Sequence, residues 1–334
     1  TIQGTGNLKI ATGTNISIIG SSGPNVGLGL NSANATTTID LNGQTLTLSG
    51  GGILGWSSGA RKITSTIPGG SFTITTNQVT ISAGGVSPTL TTDINTIVKL
   101  SQPFNPGSSI TTINGTLQIN SGGAIVTNSP IYGASSLLQY NATGNYNRNA
   151  EWTSDIATIG TTPGYPNNVQ ISNNTTLNYY RASNTGPKGL SGNLVIDAGS
   201  SLSYGAITTG GALSVKGNVT NAGNISLCSS GTLGDDLKVG GNYTNTGAGT
   251  FTGNNRAIWF VNFTSPIVPI TQIVTSATAL TIPFVVTSGG TAGTTVQLAS
   301  DVIISSSPTG ANVISFGASL QNGQAIIRVS QTDG

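Results

Sequence analysis

Two clusters of side chains carry groups that could do chemistry. Gly234-Asp235-Asp236 sets two carboxylates side by side, and glycosidic hydrolysis needs a pair of carboxyl groups placed across the scissile bond. Tyr146, Arg148, Glu151 and Trp152, with Asp155 and Tyr165 close behind, form the chain's one mixed-charge, aromatic-rich stretch. Aromatic faces of this kind stack on sugar rings while the charged groups bond hydroxyls. That makes Tyr146, Arg148, Glu151, Trp152 and Tyr165 candidates for contact with a glycan or another partner. Each cluster also has a plainer reading. The aspartates suit an Asx-rich turn before the strand Leu237-Lys238-Val239. The aromatic stretch suits a loop anchored by its own packing and an Arg–Glu pair. The plainer reading is preferred for both.

Composition closes most other routes. Only 6% of the 334 residues are charged, against roughly 25% in an average soluble protein. There is no histidine and one cysteine, Cys228, so neither a histidine-based triad nor a His-rich metal site can form. Eleven basic and nine acidic residues leave a net charge of +2, which is no footprint for nucleic acid. Asp40, Asp197 and Asp301 lie beside strands without the Gly-Gly-X-Gly-X-Asp repeat of calcium-binding solenoids. Arg61-Lys62 reads as a solvated turn, and Cys228 as a small buried apolar residue. Thr-X-Thr pairs such as Thr45-Leu46-Thr47 are too irregular for an ice-binding array. No metal, cofactor or catalytic residue is expected, and the chain is read as no enzyme.

The elements that would position these groups are strands. Helix formers such as Lys, Glu, Arg and Met are scarce, and no apolar stripe recurs at helical spacing. Short period-two runs recur instead: Thr45-Leu46-Thr47-Leu48, Phe72-Thr73-Ile74, Leu117-Gln118-Ile119, Val169-Gln170-Ile171, Leu194-Val195-Ile196. Gly, Asn and Ser punctuate them, as turns require. A hydrophobic fraction of 36% argues against disorder. No apolar run approaches the roughly 20 residues of a membrane helix.

The runs also resemble one another. Leu46-Thr47-Leu48-Ser49-Gly50-Gly51, Val79-Thr80-Ile81-Ser82-Ala83-Gly84-Gly85 and Leu117-Gln118-Ile119-Asn120-Ser121-Gly122-Gly123 read as one phrase. A second phrase runs through Gly192-Asn193-Leu194-Val195-Ile196, Gly211-Ala212-Leu213-Ser214-Val215 and Asp236-Leu237-Lys238-Val239-Gly240. Their spacing suggests a coil of roughly 20 residues, sometimes skipped. The fold class is therefore all-β: a parallel β-helix, or β-solenoid, with coils stacked at about 4.8 Å. Stacked columns favour neutral side chains, since a column of like charges repels itself. Ladders of Thr and Asn are expected outside, with Gly at corners where a side chain would strike the next coil. Residues 1–265 are read as the solenoid, with a flanking aromatic-rich loop insertion at about 131–168. Residues 266–334 are read as terminal coils or a small β-sandwich cap, with continuation preferred.

Some phrases are similar to those of large secreted surface proteins of Bacteroidetes-type bacteria. They include Tyr146-Asn147-Arg148-Asn149-Ala150-Glu151-Trp152, Pro163-Gly164-Tyr165-Pro166-Asn167-Asn168-Val169-Gln170-Ile171-Ser172 and Gly241-Asn242-Tyr243-Thr244-Asn245-Thr246-Gly247. The resemblance implies an adhesin-like or fibre-like β-solenoid at the cell surface, exported across the outer membrane, often by the type IX route. Apart from the resemblance, an open solenoid end exposes unpaired strand edges, so self-association into a fibre is expected, with a glycan or cell-surface ligand as the other partner. The opening Thr1-Ile2-Gln3-Gly4 lacks a signal-peptide pattern and reads as a mature product or an excised fragment. The functional expectation is a non-catalytic structural or adhesive module, secreted and extracellular, without nucleic-acid or membrane-spanning contacts. The alternative is a polysaccharide-binding or polysaccharide-degrading β-helix that uses Asp235, Asp236 or Glu151.

Overall fold

The structure is a computed structural model. It describes residues 6–19, 36–49, 59–75, 89–179, 186–205, 211–229, 237–254, 257–264, 268–278 and 294–300, plus Leu28 and short strands outside those ranges. The described residues form strands and turns, and no helix occurs among them. Tertiary contacts divide the chain into two units, 1–143 with 149–168, and 144–148 with 169–334. Each is a β-solenoid of parallel ladders.

In the first unit the chain circulates among three longer ladders, beside a two-stranded pair of Ile2–Gln3 with Leu30–Asn31. One stacks Asn7–Lys9, Thr36–Asp40, Ala60–Thr64, Thr89–Thr92, Ile110–Ile113 and Ile131–Tyr132. The next stacks Ile16–Ile18, Thr45–Leu48, Gly70–Ile74, Thr96–Leu100, Thr116–Asn120 and Leu137–Asn141. A third holds Gly52–Ile53, Val79–Thr80, Pro103–Asn105 and Ala124–Ile125. Register makes the core. Leu46, Phe72, Val98, Leu117 and Leu138 pair in one inward column, and Leu48, Ile74, Leu100, Ile119 and Tyr140 in the next. All are buried, and each such side chain contributes about 1.5–3 kcal/mol. Period-two alternation then turns the Thr, Gln and Lys between them outward.

The second unit repeats the plan. Its first ladder runs through Asn168–Ile171, Leu194–Ile196, Val219–Asn221, Tyr243–Asn245, Ile270–Ser276, Thr294–Leu298 and Ile326–Val329. Its second comprises Gly144–Asn147, Thr175–Asn178, Ser201–Ser203, Asn224–Ser226 and Thr250–Thr252. Its third comprises Lys188–Leu190, Leu213–Val215, Leu237–Val239, Ala257–Phe260, Phe284–Thr287 and Ile314–Ser315. Beyond residue 266, Ile270–Ser276, Thr294–Leu298 and Ile326–Val329 extend the first ladder and Phe284–Thr287 and Ile314–Ser315 the third, while Leu280–Ile282 and Val302–Ile304 pair in a parallel ladder of their own.

The coil is longer and more variable than the phrase spacing suggests. Val98 pairs with Leu117, 19 positions on, and Tyr243 with Val274, 31 positions on. The similar phrases sit on different ladders: Leu46 and Leu117 share one, whereas Val79 lies on another. Likewise Leu194 lies on the first ladder of its unit, and Leu213 and Leu237 on the third. Any strand with one apolar and one neutral polar face fits any side of the coil, so likeness does not report position. The segment expected as an insertion at 131–168 also begins on the ladders, at Ile131–Tyr132 and Leu137–Asn141. The strand-free stretch is 148–167.

A repeated Gly-Asn dipeptide, at 192–193, 217–218 and 241–242, marks a corner of the coil. Gly217 donates its N–H to Gly192 O and Gly241 donates to Gly217 O, both at 2.9 Å. A Cβ on Gly217 would lie 2.5 Å from Asn193 Oδ1 and from Gly192 O. Glycine is needed here because successive coils touch backbone to backbone.

Candidate functional site

The stretch 148–167 folds back onto its neighbours through many bonds. In the first unit Ala150 N donates to Ile125 O, Gly164 N donates to Pro130 O, and Thr153 N and Ser154 N both donate to Gly164 O. Ser154 Oγ closes on Pro163 O at 2.6 Å, and Asn167 Nδ2 on Ala134 O at 2.6 Å. Glu151 sits beneath this arch, fully buried. Its Oε1 accepts from Asn149 N at 2.8 Å and from Tyr140 Oη at 3.4 Å, and its main-chain oxygen accepts from Tyr132 Oη at 2.7 Å. Burial pushes the Tyr132 phenol well above its ordinary value near 10, and the neighbouring Glu151 charge pushes the same way.

Trp152 and Tyr165 are each 0% exposed. An aromatic ring stacks on a sugar only if one face reaches solvent, so neither is a glycan platform as placed. Glu151 is equally buried, so none of these three side chains lies on the surface of its unit.

Tyr146 and Arg148 belong to the second unit. Tyr146 is half-buried, in the inward column that continues through Leu177, Leu202, Ile225 and Phe251. Arg148 is 1% exposed. Its Nε donates to Tyr179 O at 2.9 Å, and its guanidinium lies 5.6 Å from the centre of the Tyr179 ring. Tyr179 in turn packs on Tyr204, ring centres 4.7 Å apart. Such a desolvated cation–π contact contributes about 2 kcal/mol. Arg148 is thus a rivet of the coil stack.

Two other cations lie inside rather than out. Arg61, expected on a solvated turn, is in the strand Ala60–Thr64, 1% exposed, with Nη1 donating to Gly59 O at 3.1 Å. Its burial pulls its pKa down. Lys188 is also buried, and its Nζ donates to Gly186 O and Pro187 O. Sequence reasoning missed both because isolated cations in a strand normally face water.

The remaining candidates separate cleanly. Asp235, Asp236 and Asp301 lie outside the described residues. Asp40 accepts from Thr66 Oγ1 and N, from Asn42 N, and from Lys9 Nζ at 3.4 Å. Burial alone would raise its pKa, but the Thr66, Asn42 and Lys9 contacts outweigh it and hold the carboxyl at about 2. Asp197 accepts from Gln170 Nε2 at 2.8 Å. Cys228 is buried. Among the described residues no group of three or more Cys, Asp or Glu could hold a metal ion, and no helix is long and apolar enough to cross a membrane.

What the ladders do present outward is a set of neutral side-chain chains. Asn193 Oδ1 accepts from Asn218 N, Asn218 Oδ1 from Asn242 N, and Asn242 Oδ1 from Ile273 N, at 2.8–2.9 Å. Asn120 and Asn141 are linked by a side-chain amide bond of 2.9 Å. On the five-stranded ladder of the second unit, Asn178 Nδ2 donates to Asn147 Oδ1 and Thr250 Oγ1 to Asn224 Oδ1, both at 2.8 Å. These are the neutral ladders expected from composition. A comparable pair, Asn221 and Asn245, stacks inside the core.

Comparison with family models, with curated proteins and with solved structures finds no match for the chain.

Proposed function

We propose that the chain is a non-catalytic structural and adhesive module of a bacterial extracellular surface protein or fibre. One observation carries the reading: among the described residues the candidates Arg148, Glu151, Trp152 and Tyr165 are buried inside the coils, while neutral Asn and Thr side chains link successive coils by hydrogen bonds. Glu151, Arg148 and Trp152 are buried and held by structural contacts. The Asn193, Asn218 and Asn242 chain needs no charge and repels nothing along the stack. A β-solenoid of this kind suits a mechanical role, because every coil is tied to the next by main-chain bonds. Exported surface proteins work where such neutral, stacked scaffolds resist proteolysis. A parallel ladder also ends in a strand with unpaired main-chain groups, a template for another copy or for further coils. End-to-end self-association is therefore part of the proposal.

Electron microscopy of the purified chain tests it together with a polysaccharide turnover screen. Extended particles, joined end to end as concentration rises, with no sugar released, are expected. Turnover that Asp235→Asn or Asp236→Asn abolishes would sink the module reading in favour of a polysaccharide-degrading β-helix.

A further inference from the structure

The five-stranded ladder of the second unit carries a face that, among the described residues, no other long ladder matches. Its outward positions form two columns across Gly144–Asn147, Thr175–Asn178, Ser201–Ser203, Asn224–Ser226 and Thr250–Thr252. One column reads Asn145, Thr176, Ser201, Asn224, Thr250; the other reads Asn147, Asn178, Ser203, Ser226, Thr252. Every one of these side chains is half-buried or exposed, and the residue between the two columns points inward. The face contains no ionisable group and no apolar side chain. Among the described residues the other long ladders break this pattern, with Lys62 and Ile110, Ile97 and Lys99, Val195, or Lys238 and Trp259 at outward positions.

Geometry makes the face a grid. Adjacent strands stand about 4.8 Å apart and the two columns roughly 6.8 Å apart along each strand. Part of the grid is locked by its own side-chain bonds, Asn178 to Asn147 and Thr250 to Asn224. Locked side chains lose little entropy when something docks.

Chemistry selects the occupant. An acidic polymer needs cations, and the face has none. Apolar surfaces gain nothing from hydroxyls and amides that would lose their water. A protein interface is centred on aromatic residues and Arg, which are absent here. A neutral polysaccharide fits: its hydroxyls both donate and accept, as do Ser and Thr hydroxyls and Asn amides. Uncharged partners on both sides leave no buried charge, and many weak, regularly spaced bonds to one polymer add through multivalency.

We infer that this face binds the ordered surface of a neutral polysaccharide. The inference rests on the adhesive reading and names its contact face and its ligand class.

The full chain is mixed with microcrystalline cellulose, with crystalline chitin and with alginate beads, and the retained fraction is measured at low and high salt. Retention on cellulose or chitin, unchanged by salt and absent on alginate, is expected. Ser201→Glu with Ser203→Glu puts two charges at the centre of the grid, and Thr252→Glu puts one at its last strand. Each should lower retention about tenfold or more, since a charge desolvated without a partner is costly. Thr73→Glu, outward on a ladder of the first unit, should bind as the parent does. Unchanged circular dichroism and melting show that each variant is folded. Wild-type retention by both folded face variants overturns the face and leaves the adhesive module standing. Preference for alginate, or shaping of ice crystals without retention on either neutral solid, overturns the ligand class. No retention on any solid overturns the inference and removes its support from the adhesive reading. Release of soluble sugar overturns the non-catalytic reading itself.

Discussion

Asn221 donates its side-chain amide to Asn245 Oδ1, one coil on, at 2.8 Å, with both residues inside the core. Asn221 also reaches Thr250 O, and Asn245 reaches Gly249 O and Ser276 Oγ. The pair thereby ties a strand of the first ladder to the turn leading to the second. Asn245→Leu leaves the buried Asn221 amide one acceptor short and should destabilise the protein by about 1–3 kcal/mol. Asn221→Leu should cost a similar amount. The double change should cost less than the sum, a coupling that urea unfolding of all four forms would register.

Gly241→Ala tests the coil contact. The new Cβ would meet the Asn218 side chain at Oδ1 and lie 2.8 Å from Gly217 C and O, main-chain atoms that cannot step aside. A loss of about 1–3 kcal/mol is expected, the usual cost of overpacking. Gly186→Ala is the control, because its nearest neighbour is the flexible Lys188 Nζ at 3.8 Å. Its melting temperature should stay near that of the parent.

Trp152→Ala removes the largest fully buried side chain among the described residues and should cost about 3–5 kcal/mol. Binding to cellulose or chitin, measured below the variant's own melting point, should be unaffected. Reduced binding by a variant that remains folded would restore Trp152 as a contact residue.

Acid should weaken the first unit through Asp40. Its carboxyl titrates at about 2 in the fold against 3.8 when free. A lowered folded value means that stability is fully present above the free value and is lost as pH falls through the folded one. The acid limb from pH 4 down to pH 2 should therefore be shallower in Asp40→Asn than in the parent, as urea midpoints across that range would reveal.

Alkali should act through the buried phenols. Burial raises both Tyr132 and Tyr243 above their ordinary value of 10.0, with Glu151 adding to the first and Asn221 opposing the second. A raised folded value gives stability that is intact below pH 10 and lost as pH climbs above it. Tyr132→Phe removes one contributor, so its unfolding midpoint should fall less steeply above pH 10.

The chain's texture alone determined the class of fold. Thr45-Leu46-Thr47-Leu48 can only be a strand with one apolar face, and a chain with 6% charged residues can stack such strands in columns without repulsion. Gly-Asn at 192, 217 and 241 was also legible, 25 and 24 positions apart, and it marks the true coil better than the longer phrases do. Tertiary structure decided which ladder each strand joins, because parallel pairing reads register and turn length, and Val79-Thr80 is as good a rung on one side as on another. It also decided which way the chemistry-bearing residues face. Arg61 looks like a surface group in one dimension, yet the Gly59 carbonyl accepts from it inside the coil; Arg148 is held by the carbonyl and ring of Tyr179, one coil on, and Glu151 by the Asn149 amide and the Tyr140 hydroxyl. The neutral face of Asn, Ser and Thr has the same origin. Its members are scattered over a hundred residues of sequence, and only the stacking of five coils brings them into one plane.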